Sequence, residues 1–152
     1  MANPQLYRFD QGGDPISASH PMPVAQVPYP TDSAGAVATP IKASSGNVAN
    51  ASGVATLAAV ATKTTYITGF DVTGSGATVG AAVSVTVAGL LGGTATYTAV
   101  AATGATVGNA PLVVRFDPPL PASAVNTAIV VTCPALGAGN TNNTVNAYGY
   151  YL

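Results

Sequence analysis

From residue 46 onward the chain is written in short runs that alternate apolar with hydroxyl-bearing or very small residues, and the runs are separated by Gly, Pro or Asn. A period of two sends successive side chains to opposite faces of a strand, so this pattern selects half-buried β-strands and leaves no helix of ordinary length. In Val83-Ser84-Val85-Thr86-Val87 three valines share one face against Ser84 and Thr86. Leu112, Val114 and Phe116 repeat the arrangement, with Val113, Arg115 and Asp117 opposite. In Tyr66-Ile67-Thr68-Gly69-Phe70-Asp71-Val72 the same period predicts Tyr66, Phe70 and Val72 on one face and Asp71 on the other. Further runs near 54–61, 94–101, 126–133 and 144–151 bring the expected count to seven or eight. That is the number an antiparallel, jelly-roll-like β-sandwich requires. Nineteen Val and nineteen Thr agree, because β-branched side chains pack well on a pleated surface.

The connectors are chemically specific. Thr73-Gly74-Ser75-Gly76, Leu91-Gly92-Gly93 and Gly137-Ala138-Gly139-Asn140 supply residues that tolerate positive φ and can reverse the chain. Asp117-Pro118-Pro119-Leu120-Pro121 is poor in backbone donors and is expected at a sandwich edge or corner, never in a central strand.

Charge is scarce. The chain has no Glu, one His, one Cys and nine charged side chains, and residues 43–152 hold only Lys63, Asp71, Arg115 and Asp117. Most hydrolytic and transfer chemistry needs spaced acids, bases or metal ligands, so the expectation is a protein that is not an enzyme and holds no cofactor or metal. The best acids, Asp71 and Asp117, are each expected on the sandwich exterior without a partner. Four Lys and Arg cannot neutralise a run of phosphates, which argues against nucleic acid. No uninterrupted apolar run approaches a membrane span, and Met1 to Arg8 lacks the basic and apolar regions of a secretory signal. Folding in a cytoplasm is expected. Twenty-nine Ala and seventeen Gly bury little area each, so association with other subunits would supply stability that a monomer lacks.

Composition shifts near residue 42. Residues 1–40 hold seven of the twelve prolines, and five of the nine charges fall by residue 42. Residues 1–42 therefore read as an extended N-terminal anchoring arm and 43–152 as the sandwich domain. Leu6, Tyr7, Phe9 and Ile16 are the arm's expected grips on a partner, being the large apolar groups of its first half.

Other features have plain readings. Gly74-Ser75-Gly76-Ala77-Thr78-Val79-Gly80 has the wrong spacing for a phosphate loop, and no helix follows it. His20 has no second ligand nearby, and Asp10 with Asp14 falls short of a calcium site. The sequons at Asn50 and Asn142 reflect abundant Asn, Ser and Thr. Cys133, inside Ile129-Val130-Val131-Thr132-Cys133, is expected as a packed core thiol. Tyr148 and Tyr150 share one face of the last strand and Tyr151 takes the other. The pair can fill the core, anchor a subunit interface or stack on a glycan. A sugar site is the weakest of the three, since it usually adds charged or amide side chains near the aromatics.

Four stretches carry a resemblance. They are Tyr66-Ile67-Thr68-Gly69-Phe70-Asp71-Val72-Thr73-Gly74, Val85-Thr86-Val87-Ala88-Gly89-Leu90-Leu91-Gly92-Gly93-Thr94, Phe116-Asp117-Pro118-Pro119-Leu120-Pro121-Ala122 and Gly137-Ala138-Gly139-Asn140-Thr141-Asn142. In texture and phrase they resemble tailed-bacteriophage virion accessory proteins of the head-decoration or head-fibre kind. The likeness covers residues 66–142 and leaves the arm unmatched. It implies a homotrimeric or otherwise symmetric jelly-roll module on the capsid surface, held by its N-terminal segment to the major capsid protein or other virion subunits. Two further expectations stand beside it, a glycan- or host-recognition module and a tail- or neck-associated structural protein.

Overall fold

The structure, a computed structural model, describes residues 30–104, 106 and 108–152, together with the backbone of two short strands nearer the N-terminus. Those two, β1 (Arg8–Phe9) and β2 (Pro15–Ile16), pair antiparallel with Arg8 opposite Ile16. Eight strands follow: β3 (Thr39–Ser44), β4 (Gly53–Leu57), β5 (Thr65–Ser75), β6 (Ala81–Leu90), β7 (Gly93–Ala101), β8 (Leu112–Pro121), β9 (Ile129–Cys133) and β10 (Asn142–Tyr151). Among the described residues there is no helix.

The eight strands form two four-stranded antiparallel sheets, in the orders β3-β10-β5-β8 and β4-β9-β6-β7. The pairing is that of one long hairpin: β6 pairs with β7, β5 with β8, β4 with β9 and β3 with β10. Rolling that hairpin so that successive pairs fall in alternate sheets gives the jelly-roll order, as the strand count and composition predict. Gly92 and Gly93, at φ 108° and 106°, make the innermost reversal between β6 and β7, a conformation open to glycine.

The facing sheets bury the apolar set that the period-two pattern marks. Val85, Val87, Ile129 and Val131 from one sheet meet Ile67, Phe70, Val145 and Ala147 from the other, all with no exposed surface. Phe70 sits at the middle, edge-on to Tyr97 at 5.2 Å between ring centroids and 6.3 Å from Phe116. Cys133 is fully buried, as expected for a core thiol, and its Sγ–H donates to the carbonyl of Pro134 at 3.3 Å. Asn143 is the buried polar pin. Its Nδ2 reaches the carbonyls of Ala51, Pro134 and Cys133 at 3.0, 3.1 and 3.4 Å, tying β10 to the end of β9 and the loop before β4.

Two expectations need correction. The boundary at residue 42 cuts through β3, whose residues pair with β10 from Thr39 to Ser44. The segment before it is also built: Thr31 bridges Val37, Ala38 donates to the carbonyl of Pro30 at 2.9 Å, and Asp32 Oδ1 caps the turn from Ala34 and Ala36. β3 is an edge strand, where Pro40 forfeits no ladder bond, so proline content there does not mark an arm. The second correction is Tyr66. β5 slips register against both neighbours between Ile67 and Gly69, leaving Thr68 as a bulge. One extra residue reverses the alternation, so Ile67 joins Phe70 in the core and Tyr66 goes to the outer face. The Pro-rich run behaves as predicted: β8 is the opposite edge strand, and 116–119 are left out of the ladder between Arg115, opposite Gly69, and Leu120, opposite Ile67.

Candidate functional site

The alternation that sends Val145 and Ala147 inward sends Asn146, Tyr148 and Tyr150 outward, and β10 keeps an unbroken register with β3. Tyr148 therefore lies opposite Lys42, and Tyr150 opposite Pro40. On the other flank Asn146 lies opposite Asp71 of β5. The bulge at Thr68 returns Tyr66 to this face, where its ring stacks on Tyr150 at 4.9 Å and 14°. A side chain at Gly149 would strike the Tyr66 carbonyl, so only glycine lets β10 approach the bulge this closely.

Tyr148 is the centre. Its hydroxyl donates to Asp71 Oδ2 at 2.7 Å, and Asn146 Nδ2 donates to Asp71 Oδ1 at 2.7 Å. Asp71, expected to lack partners, thus has both oxygens engaged by neutral donors. The guanidinium carbon of Arg115 stands 5.5 Å from the Tyr148 ring centroid, within cation–π range. Arg115 is itself held by Nη1–H bonds to the carbonyls of Val114 and Phe70 at 3.0 and 3.4 Å. The bond to Asp71, with burial and the carboxylate charge adding to it, pushes the Tyr148 phenol above its ordinary value, against a smaller opposing pull from Arg115. Tyr150 is also pushed up, first by burial and then by Tyr66.

Two hollows flank Tyr148. One of about 440 Å³ runs toward the Tyr150 end, between Pro30 and Pro40 on one side and Thr68 and Pro119 on the other. The second, about 220 Å³, lies over Lys42, Ser44 and Asn146. The arrangement is a shallow recognition surface of aromatic rings, amide and charged groups. Among the described residues, no group of three His, Cys, Asp or Glu is placed to hold a metal ion.

Of the residues expected to matter from sequence, Tyr148 and Tyr150 come together here, on the outer face, where Tyr150, stacked on Tyr66, is itself buried at 7% exposure. Leu6 and Tyr7 lie outside the described residues, as do His20, Asp10 and Asp14. Phe9 and Ile16 fall on β1 and β2. Of the other members, Asn146 shares the Tyr148 face by the alternation of β10 itself, whereas Lys42, Asp71 and Arg115 come from three other strands. The outward parity of Asp71 and Arg115 was visible, but their convergence on Tyr148 depends on strand order. Comparison of the chain with protein-family models, with curated proteins and with solved structures finds no significant match. The class defined is thus that of the fold, an eight-stranded antiparallel jelly-roll sandwich.

Proposed function

We propose that the chain is a structural protein of a bacteriophage virion, bound to the capsid surface as a decoration or head-fibre protein. Its sandwich associates with other copies of itself as a trimer, and its N-terminal segment, with Leu6, Tyr7, Phe9 and Ile16, attaches it to the major capsid protein or another virion subunit. The observation that carries the reading is the outer face of the β4-β9-β6-β7 sheet. No charged residue occurs in any of its four strands. Their outward positions include Thr56, Ser84, Thr86, Thr96, Thr98 and Thr132, with Val54 and Val100 44% and 67% exposed. Charged side chains are costly to desolvate and are depleted at the centre of interfaces. A face without them suits burial against an identical neighbour. Many copies on one particle then add weak attachments into firm binding through effective concentration.

The test compares the full chain with residues 30–152, which retain all eight sandwich strands. The expected result is the same trimer mass for both in solution, with only the full chain co-sedimenting with phage capsids. A monomeric full chain, or equal capsid binding without residues 1–29, would overturn the reading.

A further inference from the structure

We propose that the outer face of the β3-β10-β5-β8 sheet is a saccharide-binding site, centred on Tyr148, that prefers an acidic sugar. The inference stands apart from the assembly role, because it concerns the opposite outer face of the sandwich. A pyranose ring offers an apolar face of C–H groups and a rim of hydroxyls. Sites for such ligands combine an aromatic platform with a few placed polar groups. The sequence pattern places only Asn146 beside the terminal tyrosines, yet the fold gathers Lys42, Asp71 and Arg115 as well around Tyr148, from four strands in all.

The platform is preorganised. Tyr148 is fixed by its 2.7 Å bond to Asp71 and by Arg115 at 5.5 Å, so little side-chain freedom remains to be lost on binding. Hollows of about 440 and 220 Å³ meet at this residue, giving room for sugar units on either side of it. Lys42 and Arg115 bring two positive charges to a sheet whose negative charges are Asp71 and Asp117. The Asp71 carboxylate already serves Asn146 and Tyr148, whereas Arg115 has donors on Nη2 and Nε beyond the Nη1 bonds that anchor it. The ammonium of Lys42 and the spare donors of Arg115 favour a sugar bearing a carboxylate over a neutral one.

The experiment is calorimetric titration of the full chain at low salt with a tetrasaccharide of galacturonic acid, and separately with a tetrasaccharide of glucose. Binding of the acidic oligomer, weakened by added salt, is expected to exceed that of the neutral one. Tyr148→Ala should weaken both by about tenfold or more, and Lys42→Gln should narrow the advantage of the acidic oligomer over the neutral one. Lys42 is exposed on an edge strand, so that variant keeps the test valid if Tyr148→Ala fails to fold. Absence of binding by both oligomers at millimolar concentration overturns the site. So does binding that Tyr148→Ala leaves unchanged, or occupation of the face by a proline-rich peptide in place of either sugar. Equal affinity for the two oligomers in the native chain overturns the preference for acid.

Discussion

The two sheets share one core and present opposite chemistry outside it. Every charged residue found in the eight sandwich strands lies in the β3-β10-β5-β8 sheet: Lys42 in β3, Asp71 in β5, and Arg115 and Asp117 in β8. The other sheet is Thr, Ser, Val and Ala outside, in strands that pair without a charged side chain. Had the few charges served only solubility, both faces would share them. Their segregation separates a surface built to recognise polar groups from one that loses little by being covered.

The comparison breaks first at the shared core, where the two sheets depend on each other. Phe70→Ala removes the ring that reaches across to Tyr97 and Phe116, and should cost about 3–5 kcal/mol in denaturant unfolding, lowering the midpoint without changing the chemistry of either outer face. Asn143→Ala is the polar counterpart. It withdraws one amide from three carbonyls in or beside the uncharged sheet, and leaving buried acceptors unpaired should cost about 1–3 kcal/mol by the same measurement. A loss near zero for Asn143→Ala would mean that the unpaired buried Oδ1 of Asn143 costs about as much as its Nδ2 bonds return.

A charge placed on each outer face sharpens the contrast. Val100→Lys on β7 and Val113→Lys on β8 both alter valines that are more than half exposed. Each should change the stability of the fold by less than about 0.5 kcal/mol. Under the proposed assembly only Val100→Lys lowers the mass in solution, because it alone puts an ammonium group into the covered face. Dissociation by Val113→Lys instead would exchange the roles of the two faces.

How much of this was readable in advance differs between the sheets for a physical reason. In the uncharged sheet the period of two holds through Val87, so Val83, Val85 and Val87 declare the inner face and Ser84 and Thr86 the outer, and the register slips only beyond them, before Leu90. In the charged sheet the period is broken at Thr68, and one inserted residue moves Tyr66 to the face opposite the one its spacing implies. Pro40 hid β3, although Ile41 and Ala43 turn inward and Pro40, Lys42 and Ser44 outward as in any half-buried strand. The site around Tyr148 joins residues as far apart as Lys42 and Asn146. Spacing along the chain carries no information about such partners until the order of strands is known.

The smallest effect separates the sheets by the cause of a shared shift. Cys133, at the end of β9, and Tyr148, on β10, both hold their protons more firmly than usual. Burial lifts the thiol from about 9 to about 11, whereas the hydrogen bond to Asp71 is the largest cause for the phenol. In each case the folded state favours the neutral form. Each stabilising contribution is therefore complete below the group's ordinary value and is lost as pH rises through the folded one. For Cys133 that window runs from about pH 9 to about pH 11. Asp71→Asn discriminates between the causes. Ultraviolet titration of the tyrosines should show Tyr148 moving back toward the ordinary phenol range, because the carboxylate acceptor and its charge are gone. The thiol should stay as resistant to alkylating reagents in the variant as in the native chain, since its protection comes from burial in the core and from no charge on the outer face. Faster alkylation of Cys133 in Asp71→Asn would show that the two faces communicate through the core, and that their separate chemistries are not separately held.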